Sequence, residues 1–488
     1  MESPYSLTGL LEQPELPQPV PAQAMRQAMQ DAAPPATLPP LPSIPDADLL
    51  TPGSTEYDQY LPAFNLRTAV APALRALCKS EAAVAAMVNW VRDQNVPFAI
   101  RCGGHSFEGF SQSSQAVIDV RGIDAVAVDV AGQTVTVGAG ASLGAVYQAL
   151  QTTNLAFAAG SCPTVGVAGH VLGGGMGLLG RACGLTCDNL LSVSLVDANG
   201  AHIDADAQTN PDLFWACRGG GGGSFGIATQ FRFRLQPLAQ VVTFGISWTL
   251  SKSAARRLFA AWQQWAPAAP RAITSIMRVG GRTDGKITLR CIGQSTGSES
   301  DLEQELDALL NVEEPSAEPS IVTRSFFDAV NHFAGAGGWD YETIYHKGKS
   351  DYVVGGLSGD GINALLTQMV HAAPSRVIAI CDAYGGAIAD VAATDTAFPH
   401  RDASTYCIQY YSQWGGSGDT AQRLQLSRAV YAAMRPFVSG ACYVNYCDTD
   451  VVDFATAYWG DNLARLRQVK AQYDPANLFR HAQSVPLP

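Results

Sequence analysis

The residues best placed for chemistry lie in three glycine-rich segments: Arg101-Cys-Gly-Gly-His105, Gly173-Gly-Gly-Met-Gly177, and 219–223 leading into Ser224-Phe225-Gly226. Backbone N–H groups freed of side-chain bulk can converge on phosphate oxygens as an anion-binding nest. Three such clusters between residues 101 and 226 point to a long, phosphate-bearing ligand lying across several loops. A dinucleotide fingerprint competes, because Gly175-x-Gly177-x-x-Gly180 has its spacing and Asp197 follows at the end of a predicted strand. That fingerprint needs a strand before it and a packed helix after it. The stretch 181–190 is too short for that helix and is broken by Gly184.

These loops need a framework. Residues 81–95 carry an apolar face at helical spacing (Ala83, Val84, Met87, Val91), and a strand over 97–101 then delivers the loop 102–115. Short strands are predicted at 116–120, 125–129 and 134–138, and Ser142 suits the cap of a helix over 143–151. A strand at 191–197 and an alternating one at 226–235 close a first α+β unit. Beyond it, strands at 242–250, 287–292, 377–384 and 406–414 alternate with amphipathic helices around 254–265 and 300–310. That pattern predicts an antiparallel sheet covered by helices. Along 406–414 a period of two puts Cys407, Gln409, Tyr411 and Gln413 on one face.

Composition narrows the function classes. The chain has 488 residues, 47% apolar and 15% charged, which suits a globular protein of two or three packed units. A formal charge of −12 argues against nucleic acid and against an anionic membrane surface as partners. No apolar run reaches bilayer-spanning length, and no lysine or arginine precedes Arg26, so a secretion signal is not expected. The 11 cysteines form no CxxC pair, and Cys183 and Cys187 lack the second pair of a zinc site. A cytoplasmic location with reduced thiols and no metal is the expectation. Residues 1–45 hold 11 of the 28 prolines and read as an extension that is extended or wraps the surface. The division expected is this extension, a first unit over 46–236, a second over 237–440, and a C-terminal segment 441–488 returning to the first.

Arg101-Cys-Gly-Gly-His-Ser106, together with Gly160-Ser-Cys-Pro-Thr-Val-Gly-Val-Ala-Gly-His170 and the following Leu172-Gly-Gly-Gly175, resembles the berberine bridge enzyme-like branch of the vanillyl-alcohol-oxidase flavoproteins. Asp212-Leu-Phe-Trp215 with Arg218, Tyr443-Val-Asn-Tyr446, Tyr458-Trp-Gly-Asp-Asn462 and Tyr473-Asp-Pro-Ala-Asn-Leu-Phe479 resemble its later motifs. The resemblance runs from about Thr51 to the C-terminus. It implies an α+β protein, with a two-part FAD-binding domain of PCMH type and a substrate domain built on an antiparallel sheet. It further implies FAD bonded covalently at His105 through the flavin 8α carbon and at Cys162 through C6. The matching segments make Arg101, Cys102, Gly103, Gly104, Ser106, Val165, Gly166, Gly169, His170, Gly173, Gly174, Gly175, Gly226, Ile227 and Asn445 cofactor contacts. Without the motif, a histidine in a glycine loop is more often a hydrogen-bonding residue, and a cysteine before proline a buried thiol.

Hydride removal from an alcohol also needs a base for its O–H proton. The resemblance nominates Tyr446, with Tyr443 assisting in orienting substrate. A free tyrosine is a poor base near neutral pH. Gln409 stands where relatives acting on phenolic alkaloids carry a carboxylate; an amide cannot serve as a base and suits a hydroxylated substrate. Val165 matches the position that controls oxygen access, and its small side chain implies O2 as acceptor with release of hydrogen peroxide. The expectation is thus an alcohol oxidase acting on a carbohydrate or a hydroxylated or glycosylated metabolite, as a monomer or homodimer. The alternative is oxidative cyclisation or desaturation of a natural product. The paired tyrosines and the second unit argue against a flavin-binding protein without turnover. His332, His346 and His400 are expected in surface loops.

Overall fold

Serines set the starts of several helices. Ser80, Ser142, Ser251 and Ser298 accept backbone N–H bonds at 3.1–3.3 Å from residues three positions on, opening Glu81–Asp93, Leu143–Leu150, Lys252–Ala268 and Glu299–Leu310. The computed structural model describes residues 38–488 apart from 62, 335–337, 341–342, 374–376 and 402. Most of the proline-rich extension lies outside the described residues. Its last part passes over the first of these helices, where Trp90 Nε1 donates to the Pro40 carbonyl at 3.3 Å.

Three sheets carry the architecture. The first joins β1 (Ala47–Leu50), β2 (Leu74–Cys78), β3 (Phe98–Arg101) and β4 (Ala116–Asp119) in the order β1-β2-β4-β3. Its β2–β4 and β3–β4 pairings are parallel. The second joins β5 (Val126–Asp129), β6 (Thr134–Gly138), β7 (Leu190–Val196), β8 (His202–Asp206) and β9 (Ile227–Arg234), ordered β5-β6-β9-β7-β8 and antiparallel throughout. These two sheets make up the first α+β unit. The third has seven antiparallel strands: β10 (Gln240–Leu250), β11 (Ile273–Gly281), β12 (Ile287–Ser295), β13 (Ser320–Ser325), β14 (Tyr345–Val354), β15 (Ile378–Ala383) and β16 (Ser404–Trp414). Their order is β13-β10-β12-β11-β15-β16-β14. The α+β class and the helix-covered antiparallel sheet expected from the sequence are both present.

The period-2 reading of β16 holds. Tyr406, Ile408 and Tyr410 enter the apolar core beneath the covering helices. Cys407 turns into the other core, and Gln409, Tyr411 and Gln413 wall a cavity on that side. The strands β11, β13 and β14 of this sheet go unread in the sequence. On β14 the reason is electrostatic: Lys347, Lys349 and Asp351 are all buried, and a strand with three charges in five residues looks like a loop until their partners are known.

The GxGxxG match at Gly175–Gly180 has no dinucleotide-binding context. It follows the helix Val167–Leu172 rather than a strand, and it leads into the four-residue helix Gly180–Cys183. Asp197 closes a turn instead, its Oδ1 accepting from the Asn199 and Ala201 amides at 2.9 and 2.7 Å. Among the described residues no helix is long and apolar enough to cross a membrane.

Arg181, on that short helix, locks the first unit to the third sheet. Its buried guanidinium donates to the carbonyls of Ile273 (2.8 Å), Pro267 (3.0 Å), Tyr384 (2.6 Å) and Ala269. Truncation would strand several buried acceptors at once. Arg181→Met is therefore expected to lower unfolding stability by about 3 kcal/mol or more in a denaturant titration; a change below about 0.5 kcal/mol would contradict this role.

Candidate active site

The loop after β3 and the loop 160–166 approach backbone to backbone. A Cβ on Gly103 would stand 2.4 Å from Gly166 N, and one on Gly166 would stand 2.2 Å from Cys102 Sγ and 2.4 Å from Gly103 N. Only glycine on both sides permits this distance, and it brings His105 and Cys162 to one wall of a cavity of about 600 Å³. His105 stacks on Phe64, with ring centroids 4.4 Å apart. Burial and the nearby Arg101 hold its imidazole down to about 3, so the ring is neutral. Cys102 also reaches the cavity, but burial pushes its thiol up to about 11, and its sulfur lies 3.9 Å from the Ala141 carbonyl.

Of the expected cofactor contacts, Cys102, Gly103, Gly104, His105, Ser106, Cys162, Val165, Gly166, Gly169, His170, Gly226 and Asn445 line this cavity. His170 Nε2 accepts the Gly160 amide at 3.0 Å, and burial lowers its pKa to about 4. Arg101, Gly173, Gly174, Gly175 and Ile227 do not line it. Arg101 is fully buried behind the wall, and Ile227 is paired with Val196 inside the second sheet. The three consecutive glycines serve packing. Cβ atoms there would stand 2.0 Å from Asn445 Oδ1, 2.8 Å from the Phe398 ring and 2.5 Å from Thr186 Oγ1, respectively. The open backbone on the cavity is supplied instead by Gly220–Gly223, where Gly221 and Gly223 have φ of +85° and +75°.

The two tyrosines of the C-terminal segment are split in role. Tyr443 Oη accepts from the amides of Gly175 (3.0 Å) and Met176 (3.3 Å) and from Asn445 Nδ2 (2.9 Å). Asn445 Nδ2 also donates to the His170 carbonyl at 3.0 Å. Tyr443 is thus a fixed post at the cavity wall, its oxygen accepting from three donors. Tyr446 lies against it edge-on and stacks on Phe107 at 5.6 Å. Its hydroxyl donates to Asp382 Oδ2 at 3.4 Å. Burial raises the Asp382 carboxyl to about 7, against an opposing pull from Arg278. Burial, with the Asp382 charge second, drives the Tyr446 phenol well above 10.

Asp382 was not singled out from sequence, although it is the only charged residue in β15, a sign that it faces something other than the apolar core. Its cavity-side neighbours are Thr274, Ile276 and Arg278 on β11, Ile380 on β15, and Gln409, Tyr411 and Gln413 on β16. The expected surface histidines need correction. His346 on β14 is fully buried among Phe64, Phe107 and Tyr411. His400 stacks on Tyr352 at 4.0 Å, and His332 is on the helix Phe326–Phe333.

Buried ion pairs fasten these pieces together. Lys347 Nζ contacts Glu108 (2.5 Å) and Asp448 (2.6 Å), while Lys349 Nζ contacts Asp448 (2.6 Å) and Asp450 (2.7 Å). Glu108 also pairs with Arg67 at 2.8 Å.

A family model described as an FAD binding domain matches residues 72–206, and one described as berberine and berberine like matches residues 442–486. The FAD-linked oxidoreductase YgaK of Bacillus subtilis is 33% identical over 90% of this chain and 96% of its own length. The chain belongs to the berberine bridge enzyme-like FAD-linked oxidoreductases. The structure of Physcomitrella patens BBE-like 1 overlays with a TM-score of 0.83 at 31% identity, covering 95% of this chain and 99% of that one. A Phl p 4 variant described as a glucose oxidase overlays with a TM-score of 0.81 at 31% identity, covering 90% and 96%. This berberine bridge enzyme-like protein is an FAD-linked oxidoreductase, and its glycine-lined cavity suits a cofactor needing close backbone approach.

The packing role of Gly173 is testable. Gly173→Ala drives a methyl into Asn445 and so loosens Tyr443. It should cost about 1–3 kcal/mol in thermal unfolding, whereas a wild-type Tm would show that the contact is slack.

Proposed function

We propose that this protein is an oxidase of alcohol groups on a carbohydrate or a similarly hydroxylated metabolite, with FAD attached at both His105 and Cys162 and O2 as electron acceptor. The observation that carries the reading is the Tyr446–Asp382 pair at the cavity wall. When bound, the flavin takes up the two electrons and the hydrogen leaving the alcohol carbon. The chain supplies the matching base. A substrate hydroxyl beside Tyr446 passes its proton to the phenol oxygen as the phenol proton moves to Asp382. Tyr446 cannot simply ionise at neutral pH, because burial and the neighbouring carboxylate hold its proton. Asp382, near 7, is matched to receive one.

The rest of the wall supports a polyhydroxylated substrate. Thr274, Gln409, Tyr411 and Gln413 offer neutral donors and acceptors, and Gln409 contributes no second base. The glucose oxidase described for the Phl p 4 variant is consistent with this class. Val165 lines the cavity two residues before the helix Val167–Leu172, and its small side chain supports O2 as the acceptor.

The reading is tested by peroxide release against a panel of mono- and oligosaccharides. Peroxide with at least one sugar is expected, and a protein that oxidises only aromatic alkaloids or ignores every sugar would refute it. Val165→Ile should slow reoxidation in air while leaving anaerobic reduction by substrate intact. Tyr446→Phe should lower kcat by about 10²- to 10⁴-fold, the usual contribution of a positioned base. Because Asp382 must be ionised to accept the proton, kcat should rise with pH through about 7. Asp382→Asn should lower kcat and flatten that limb; an unchanged profile would remove Asp382 from the reaction.

A further inference from the structure

One hydroxyl touches both anchor side chains. Thr164 Oγ1 lies 3.0 Å from His105 Nε2 and 3.6 Å from Cys162 Sγ. The segment carrying it is held by the N-terminal turn of the helix Leu143–Leu150, where the Leu143 and Gly144 amides donate to the Val165 and Pro163 carbonyls at 2.8 Å each. A hydroxyl has one proton to give and lone pairs to accept with. A neutral imidazole carries its proton on one nitrogen only. The Thr164 hydroxyl can therefore give its proton to one of these two atoms and accept from the other, so both anchor side chains share one hydrogen-bonding centre.

Thr164 also has a second exposure. With Pro163, Arg121, Ser142 and Gln148 it walls a hollow of about 370 Å³ that shares only Gly103 with the main cavity. A proton leaving His105 Nε2 through this hydroxyl therefore has a way out that does not cross the cofactor cavity.

We propose that Thr164 is the positioning residue for attachment of the flavin: its hydroxyl orients the His105 imidazole through Nε2, hydrogen-bonds the Cys162 sulfur, and conducts the released proton to the outer hollow. This rests on the reading that both residues carry FAD. In the His105 step a bond forms between Nδ1 and the flavin 8α carbon while one C–H bond of that carbon and the Nε2–H bond break. The two electrons of the C–H bond pass through the flavin to dioxygen, which leaves with the two protons as hydrogen peroxide. The Cys162 step balances in the same way, with S–H and C6–H replacing N–H and C–H.

The test follows covalent incorporation rather than turnover. Full-length protein from flavin-depleted cells is given FAD, and acid-stable flavin is followed in time and mapped to the His105 and Cys162 peptides by mass spectrometry. Non-covalent FAD binding and Tm are measured alongside. Thr164→Val keeps the shape and removes the hydroxyl. It should slow attachment about tenfold or more, the kinetic equivalent of one lost hydrogen bond, with non-covalent FAD binding retained. Thr164→Ser should restore the rate, and Thr164→Ala gives the same test if valine disturbs folding. Attachment at the wild-type rate in the valine and alanine variants, or a serine variant as slow as they are, would overturn the proposal. A wild-type protein that never gains acid-stable flavin would overturn the bicovalent reading instead.

Discussion

Four buried charges decide how the two sides of the active site meet. Glu108, Lys347, Lys349 and Asp448 have side chains only 1–3% exposed, and their charges sum to zero. Each comes from a piece of the site. Glu108 stands three residues beyond His105, Asp448 two beyond Tyr446, and the lysines flank Gly348, where a Cβ would press on Phe107 and Gln409. An unpartnered buried charge costs several kcal/mol, so the His105 loop, the Tyr446 turn and the Gln409-bearing wall are held to one register. Apolar packing of similar area would tolerate a slip that this network does not.

Within that frame, two tyrosines three residues apart do different work. The short 3₁₀ turn Val444–Tyr446 sets them edge to face at a centroid distance of 4.9 Å. Tyr443 is saturated by three donors and fixes the turn on Gly175 and Met176. Tyr446 is left with a carboxylate, and a carboxylate can take a proton. Their difference comes from neighbours, not from residue type.

That distinction marks how far the sequence could be read. The glycine-loop motifs around His105 and Cys162, the Ser142 cap and the alternation on β16 are local patterns, so they are legible. The FAD-binding family and the α+β class followed from them. Asp382 was not legible, because its partner Tyr446 is 64 residues away in sequence and only the fold joins them. The strand β14 was hidden because its charges look solvated until Glu108, Asp448 and Arg435 are placed against them. Gly173–Gly175 misled in the opposite sense: a glycine run suits a phosphate nest and close side-chain packing equally, and Asn445, Phe398 and Thr186 claim that space. His346 reads as a surface residue until Phe64, Phe107 and Tyr411 enclose it.

The account depends most on one flavin being held at two points of the same cavity wall. Proteolysis of the denatured protein followed by mass spectrometry tests this directly. The account predicts the His105 and Cys162 peptides in a single cross-linked species bearing one FAD. Both peptides recovered separately and unmodified from protein that had bound FAD would contradict it.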